Sequence, residues 1–213
     1  MRYKFPDPED QASLAHTFQA TSEKFSERPF LHFEDEMWTY GHTNKAANSL
    51  ARYLASSGVK HGDRVVMFME NRPSFVISLL ALNKIGAIAV LINTSLTGDP
   101  LVHCINSSDS VKCILGAERA DALEDVLDQI NITKQEDFLW AEDTAQFSLP
   151  DWAIDLKAQL DISDDKDLEE TNLVKAKDVA CYIFTSGTTG VPKAAICPNQ
   201  KLICLLYTSD AAD

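Results

Sequence analysis

The sequence predicts an α/β domain with a mostly parallel sheet and flanking helices. Three observations carry this. Helical apolar periods alternate with short β-rich runs from Trp38 to Phe184, the rhythm of repeated strand–helix–strand units. The run Ala87–Ile92 is apolar almost without a break, as a strand covered on both faces must be. The last strand-like run passes straight into a segment of glycines and hydroxyl residues, and open α/β sheets bind ligands at the C-terminal ends of their strands.

The first helical period is Ala46, Ala47, Leu50, Ala51, Leu54 and Ala55, stopped by Gly58. Asp63–Met69 then reads as a strand. Asn71-Arg-Pro-Ser turns into a second helix with Pro73 near its first position, where the missing N–H costs nothing. That helix runs through Phe75, Val76, Leu79, Leu80 and Leu82 to Gly86, and the buried strand Ala87–Ile92 follows. A helix around Pro100–Ile105, a strand at Val111–Leu115, a helix at Ala120–Gln129 and a strand at Phe138–Trp140 continue the alternation. Right-handed crossovers between parallel strands are expected. The acid-rich stretch Asp161–Asp178 reads as a surface connection into the final strand, Val179–Phe184.

The chain has 213 residues, 45% of them apolar, enough for a sizeable core in one large domain or two small ones. Nineteen basic against 32 acidic residues give a net charge of −13. With no Lys/Arg cluster, nucleic-acid binding drops out. The acids concentrate in Glu118–Asp143 and Asp151–Asp178 and read as solvated helix faces and a surface loop. Five scattered cysteines, at 104, 113, 181, 197 and 204, make no C-x-x-C pair. They support neither a disulfide framework nor a zinc site, and point to a reducing compartment. No signal peptide is visible, and the longest apolar tract, Phe75–Leu96, is broken by Asn83, Lys84, Gly86 and Asn93. It reads as helix then strand rather than as a bilayer span. The five histidines share no metal-ligand spacing. Asp161, Asp164, Asp165 and Asp167 lack the glycine and distal glutamate of an EF-hand loop. Trp38 and Tyr40 read as core packing.

The segment Thr185-Ser-Gly-Thr-Thr-Gly-Val-Pro-Lys193 carries the chemistry. Gly187 and Gly190 allow positive φ, so that successive N–H groups can point at an anion. The hydroxyls of Thr185, Ser186, Thr188 and Thr189 can donate to phosphate oxygens or ligate a hard cation. Lys193 supplies a mobile positive charge, and Pro192 stiffens the exit. A Walker loop does not fit, because only two residues separate the glycines and a proline precedes the lysine. No G-x-G-x-x-G occurs, so a Rossmann site is not indicated.

Tyr182–Lys193 resembles the signature phosphate-binding loop of the AMP-binding (adenylate-forming) superfamily: acyl-CoA synthetases, luciferases and peptide-synthetase adenylation domains. Phe30–Phe33, Met37–Tyr40, Asn44–Leu54 and Gly58–Val66 resemble the N-terminal region of these enzymes. Met69-Glu-Asn-Arg-Pro-Ser-Phe75, Ala87–Leu96 with Asn93-Thr94, and Pro100–Cys104 resemble the fatty-acid transport proteins, also called very-long-chain acyl-CoA synthetases. The resemblance implies the N-terminal portion of the adenylate-forming large domain, truncated, with a lead-in over 1–27, a partial AMP-binding domain over 28–196 and a non-matching tail over 197–213. Its last ten residues, Cys204–Asp213, look like translated adaptor sequence, and the tail is expected to be an artefact.

The resemblance also implies a reaction. A carboxylate attacks the α-phosphorus of ATP to give an acyl-adenylate and pyrophosphate, and coenzyme A then takes the acyl group as a thioester. Thr185, Ser186, Gly187, Thr188, Thr189, Gly190 and Lys193 would cradle the β- and γ-phosphates, with Thr185 beside Mg²⁺ and Tyr182 and Pro192 as supports. ATP, Mg²⁺, coenzyme A and a fatty acid are the implied ligands. The family's adenine-binding aromatic region, Mg²⁺-binding glutamate, ribose-binding aspartate, hinge and catalytic lysine fall beyond Asp213. The membrane segment that begins fatty-acid transport proteins is not seen, so Met1 is expected to be an internal or alternative start. Membrane association, at the endoplasmic reticulum, peroxisome or plasma membrane, is implied by family alone. Another adenylate-forming ligase and a catalytically inactive truncated product remain open as alternatives.

Overall fold

The computed structural model describes residues 5–144, 146–185 and 192–209. Ser186, Gly187, Thr188, Thr189 and Gly190, with Val191, lie outside the described residues. Helix α1 (Leu14–Phe25), capped by the Ser13 hydroxyl, precedes a small antiparallel hairpin of β1 (Pro29–Phe33) and β2 (Glu36–Thr39). The Thr39 side chain then caps α2 (Tyr40–Ser56). From there the chain alternates: β3 (Arg64–Phe68), α3 (Pro73–Lys84), β4 (Ile88–Leu91), α4 (Gly98–Ser107), β5 (Lys112–Gly116), α5 (Ala120–Glu124) and β6 (Phe138–Ala141). The remainder is β7 (Ile154–Asp155), α6 (Leu156–Asp161), β8 (Val179–Thr185), β9 (Lys193–Pro198) and α7 (Asn199–Ser209).

The seven-stranded sheet runs β7-β6-β5-β3-β4-β8-β9, parallel throughout except for the antiparallel β8–β9 pair. The sheet grows from β3 in both directions, to β4 on one side and β5 on the other. Crossovers of one hand that move in opposite directions must place their helices on opposite faces. The core shows this. Along β3 and one residue past it, Val65, Met67 and Met69 enter a buried cluster with α1, α2 and α3, whereas Val66 and Phe68 enter a second cluster with Leu101, Cys104 and Ile105 of α4. Both faces of the central strands are covered, so they are apolar in nearly every position.

Two elements differ from the sequence reading. The helix expected over Ala120–Gln129 ends at Glu124 and continues as a 3-10 turn, Leu127–Gln129. The connection Asp161–Asp178 is not a free solvated loop: Asp167 Oδ1 accepts from Asn44 and Asn48 of α2 at 2.9 Å each. Lys84, at 0% exposed, donates to Gln19 at 2.9 Å and lies 4.0 Å from Asp167. Burial pulls its ammonium down to about 8, against the pull of Asp167. Tyr40, read as core packing, begins α2, and its ring packs on Phe18 and Phe30. Trp38 stacks on His42 with centroids 4.2 Å apart.

Gly86 closes α3 with φ +69°, and a Cβ there would meet the His61 ring at 2.1 Å. Only glycine satisfies both constraints. Beyond β9, Asn199 ties α7 to the body of the fold. Its Oδ1 accepts from Leu14 N at 3.1 Å and from Asn83 Nδ2 at 2.9 Å.

Candidate functional site

β8 ends at Thr185 and β9 begins at Lys193, and the two residues pair in the ladder. The expected phosphate loop therefore closes a hairpin at the C-terminal edge of the parallel sheet. Both flanking side chains are exposed, and the Thr185 hydroxyl donates to the Lys193 carbonyl at 3.5 Å. Tyr182 leans on the second core cluster, and Pro192 is half-buried. Of the expected site residues, the structure thus places Tyr182, Thr185, Pro192 and Lys193. Alternation along β8 sends Cys181 to one face and Tyr182 and Phe184 to the other, which fixes the direction in which Thr185 leaves the sheet.

Beside this hairpin, the strand ends of β3 and β4 open onto a cleft of about 480 Å³. Glu70, Asn71, Asn93 and Thr94 line it over a floor of Met69, Phe75 and Ile92. A polar cluster that the sequence did not reveal braces its far wall. Arg72 Nη2 lies 2.9 Å from Glu118 Oε2, and Arg72 Nε lies 3.7 Å from Asp143 Oδ2. Ser74 donates to Asp143 at 2.6 Å, Glu70 N donates to Glu118 at 2.7 Å, and Arg119 pairs with Glu70. The cluster joins the loops after β3, β5 and β6, at the point where the strand order reverses. The side chains of Arg72, Glu118 and Asp143 are only 8%, 12% and 11% exposed. Burial raises the carboxyl pKa of both Glu118 and Asp143, opposed by Arg72. Arg72 Nε and Nη1 and Asp143 Oδ2 have no hydrogen-bond partner among the described residues, so ion pairing rather than full hydrogen bonding offsets their desolvation.

Among the described residues, no group of three or more His, Cys, Asp or Glu is placed to hold a metal ion. No helix among them is long and apolar enough to cross a membrane. At the hairpin mouth the exposed Thr185 side chain offers one oxygen of the kind a hard cation takes, across the ladder from the exposed Lys193.

The fold is a doubly wound α/β domain in which Thr185 and Lys193 bound a hairpin at the C-terminal strand edge. The chain belongs to the AMP-binding enzyme family, which matches residues 18–213. It is 33% identical over 194 residues to a medium/long-chain-fatty-acid–CoA ligase of Mycobacterium tuberculosis, covering 91% of this chain and 30% of that one. It is 30% identical over 189 residues to long-chain fatty acid transport protein 6 of Mus musculus, covering 87% of this chain and 30% of that one. The chain thus spans about a third of the length of the curated relatives it matches. Among solved structures, the anthranilate CoA ligase AuaEII in complex with anthranoyl-AMP superposes with a TM-score of 0.79 at 17% identity, over 94% of this chain and 37% of that one. A Mycobacterium tuberculosis fatty acyl CoA synthetase superposes with a TM-score of 0.71 at 22% identity, over 88% of this chain and 34% of that one. The α/β fold with its mostly parallel sheet is the fold of these ligases.

Proposed function

We propose that this chain is the N-terminal, phosphate-holding part of a long-chain or very-long-chain fatty acyl-CoA ligase. The observation that carries the reading is the position of Thr185–Lys193, closing β8 onto β9 at the C-terminal edge of the sheet. The fatty-acid refinement draws on relatives named as fatty acid transport proteins and as a fatty-acid–CoA ligase.

In the proposed reaction, Lys193 neutralises the phosphates and the backbone and hydroxyls of Thr185–Gly190 orient them. Thr185 would offer an oxygen to the Mg²⁺ that accompanies ATP. Attack of a carboxylate on the α-phosphorus needs positioning and charge neutralisation more than covalent help. Coenzyme A then accepts the acyl group in the complete enzyme, and a membrane setting follows the transport-protein relatives. Taken by itself, the chain binds Mg·ATP but does not activate fatty acid. Calorimetric titration with Mg·ATP, and incubation with ATP, oleate and hydroxylamine, test the two halves. Saturable binding without acyl-hydroxamate is expected. Absence of binding removes the phosphate-loop reading, and hydroxamate formation removes the statement of inactivity.

A further inference from the structure

Cys181 and Cys197 stand opposite each other in the antiparallel ladder of β8 and β9. Directly paired residues project from one face of the sheet, with Cα atoms about 4.5 or 5.5 Å apart according to the kind of pair. A disulfide needs Cα atoms roughly 4.4–6.8 Å apart, so either kind of pair can be bridged without moving the backbone. Both side chains turn to the same core cluster. Both cysteines are free. Cys181 lies inside the cluster beneath α1–α3, and Cys197 packs at its margin, half-buried. Two small apolar side chains sealing the core would be the plainer account. Cys104 and Cys113 fill that role without standing opposite another cysteine. The cross-strand pairing of Cys181 with Cys197 adds a chemical possibility that packing does not use.

We propose that Cys181 and Cys197 are a redox-modification site, converted by a peroxide or a low-molecular-weight disulfide into a cross-strand disulfide at the foot of the phosphate-loop hairpin. With hydrogen peroxide, the half-buried Cys197 is the sulfur the oxidant reaches. Its thiolate attacks one peroxide oxygen; the S–O bond forms as the O–O bond breaks, and the departing hydroxide leaves as water. Cys181 sulfur then attacks Cys197 sulfur, forming S–S and breaking S–O. The released hydroxide takes up the Cys181 proton as a second water. Two thiols and one peroxide become one disulfide and two waters. Burial pushes the Cys181 thiol up to about 12, so the second step is slow at neutral pH and quickens as pH rises. The link fixes the ladder in the register that pairs Thr185 with Lys193.

The test is peptide mapping under non-reducing conditions of the reduced full chain, treated stepwise with hydrogen peroxide and, separately, with oxidised glutathione. The expected product is an intramolecular Cys181–Cys197 peptide pair two hydrogens lighter than the thiols, reversed by dithiothreitol. Its formation should quicken from pH 7 to pH 8.5, with slower amide exchange over 179–185 and 193–198. Cys197→Ser, at a half-buried position, abolishes the product without threatening the fold, and Cys204→Ser leaves it intact. Cys197 over-oxidised or joined to a second chain, with Cys181 still a thiol in folded protein, overturns the proposal. None of these readouts requires nucleotide, so the result is independent of the ligase reading.

Discussion

Lys193 holds an exposed ammonium at the mouth of the hairpin, across the ladder from Thr185. Hydrogen bonds to charged groups contribute about 1.5–3 kcal/mol. Lys193→Met is therefore expected to weaken Mg·ATP binding about 10- to 100-fold, as read by calorimetry; unchanged affinity would remove the lysine from the site. Glu118 and Asp143 make a second residue-scale case. Each carboxyl has a folded-state pKa raised by burial, so each binds its proton more tightly in the folded chain. Their contribution to stability is fully present below the ordinary carboxylate values and is lost as pH rises through the raised ones. Urea titrations across that window should show stability falling with rising pH, and Glu118→Gln with Asp143→Asn should flatten the slope; an unchanged slope would assign the effect elsewhere. The loop proposed to hold phosphate could be singled out in sequence because its residues are contiguous, Thr185 through Lys193. The Arg72 cluster was not, because its partners come from three loops and its acids, read singly, look solvated.

Strand and helix positions followed from patterning wherever both faces of the sheet are covered, as in β3, β4 and β5. Patterning was weaker for elements that lean on tertiary partners. β7 is two residues long and carries too short a period to detect. β9 has Ala194, Ala195 and Ile196 exposed and shows no buried stripe. α7 lies in the stretch that the sequence reading set apart as a tail, and Asn199 binds it to α1 and α3. Asn199→Ala would leave Leu14 N and Asn83 Nδ2 without that acceptor, at a cost of about 1–3 kcal/mol for each group that stays buried and unpaired. The expected outcome is a loss of about 2–4 kcal/mol in chemical denaturation, with amide protection falling first in 199–205 while β3–β5 keep theirs. Uniform loss across the sheet would show that α7 is not a separable unit.

For the molecule as a whole, the β9 edge of the sheet matters. β9 is an edge strand with Ile196 56% exposed, and its neighbour β8 shows Ile183 39% exposed. An exposed apolar edge is a template for pairing with another chain, although a net charge of −13 opposes association. Concentration-dependent association is expected in sedimentation velocity. Ile196→Lys should reduce it, and an unchanged distribution would place the contact elsewhere. The strand order has a further consequence, in time rather than space. β8 pairs with β4 only after β5, β6 and β7 have been laid down on the other side of β3. Chains leave the ribosome N-terminus first, and contacts between distant segments bear a loop-closure cost before they are rewarded. The β3–β4–β5 centre can therefore assemble while β8 is still unmade, and the β8–β9 hairpin docks last. On the proposed function, occupancy by nucleotide would then serve as a stamp of completion, set only on chains whose sheet has already closed.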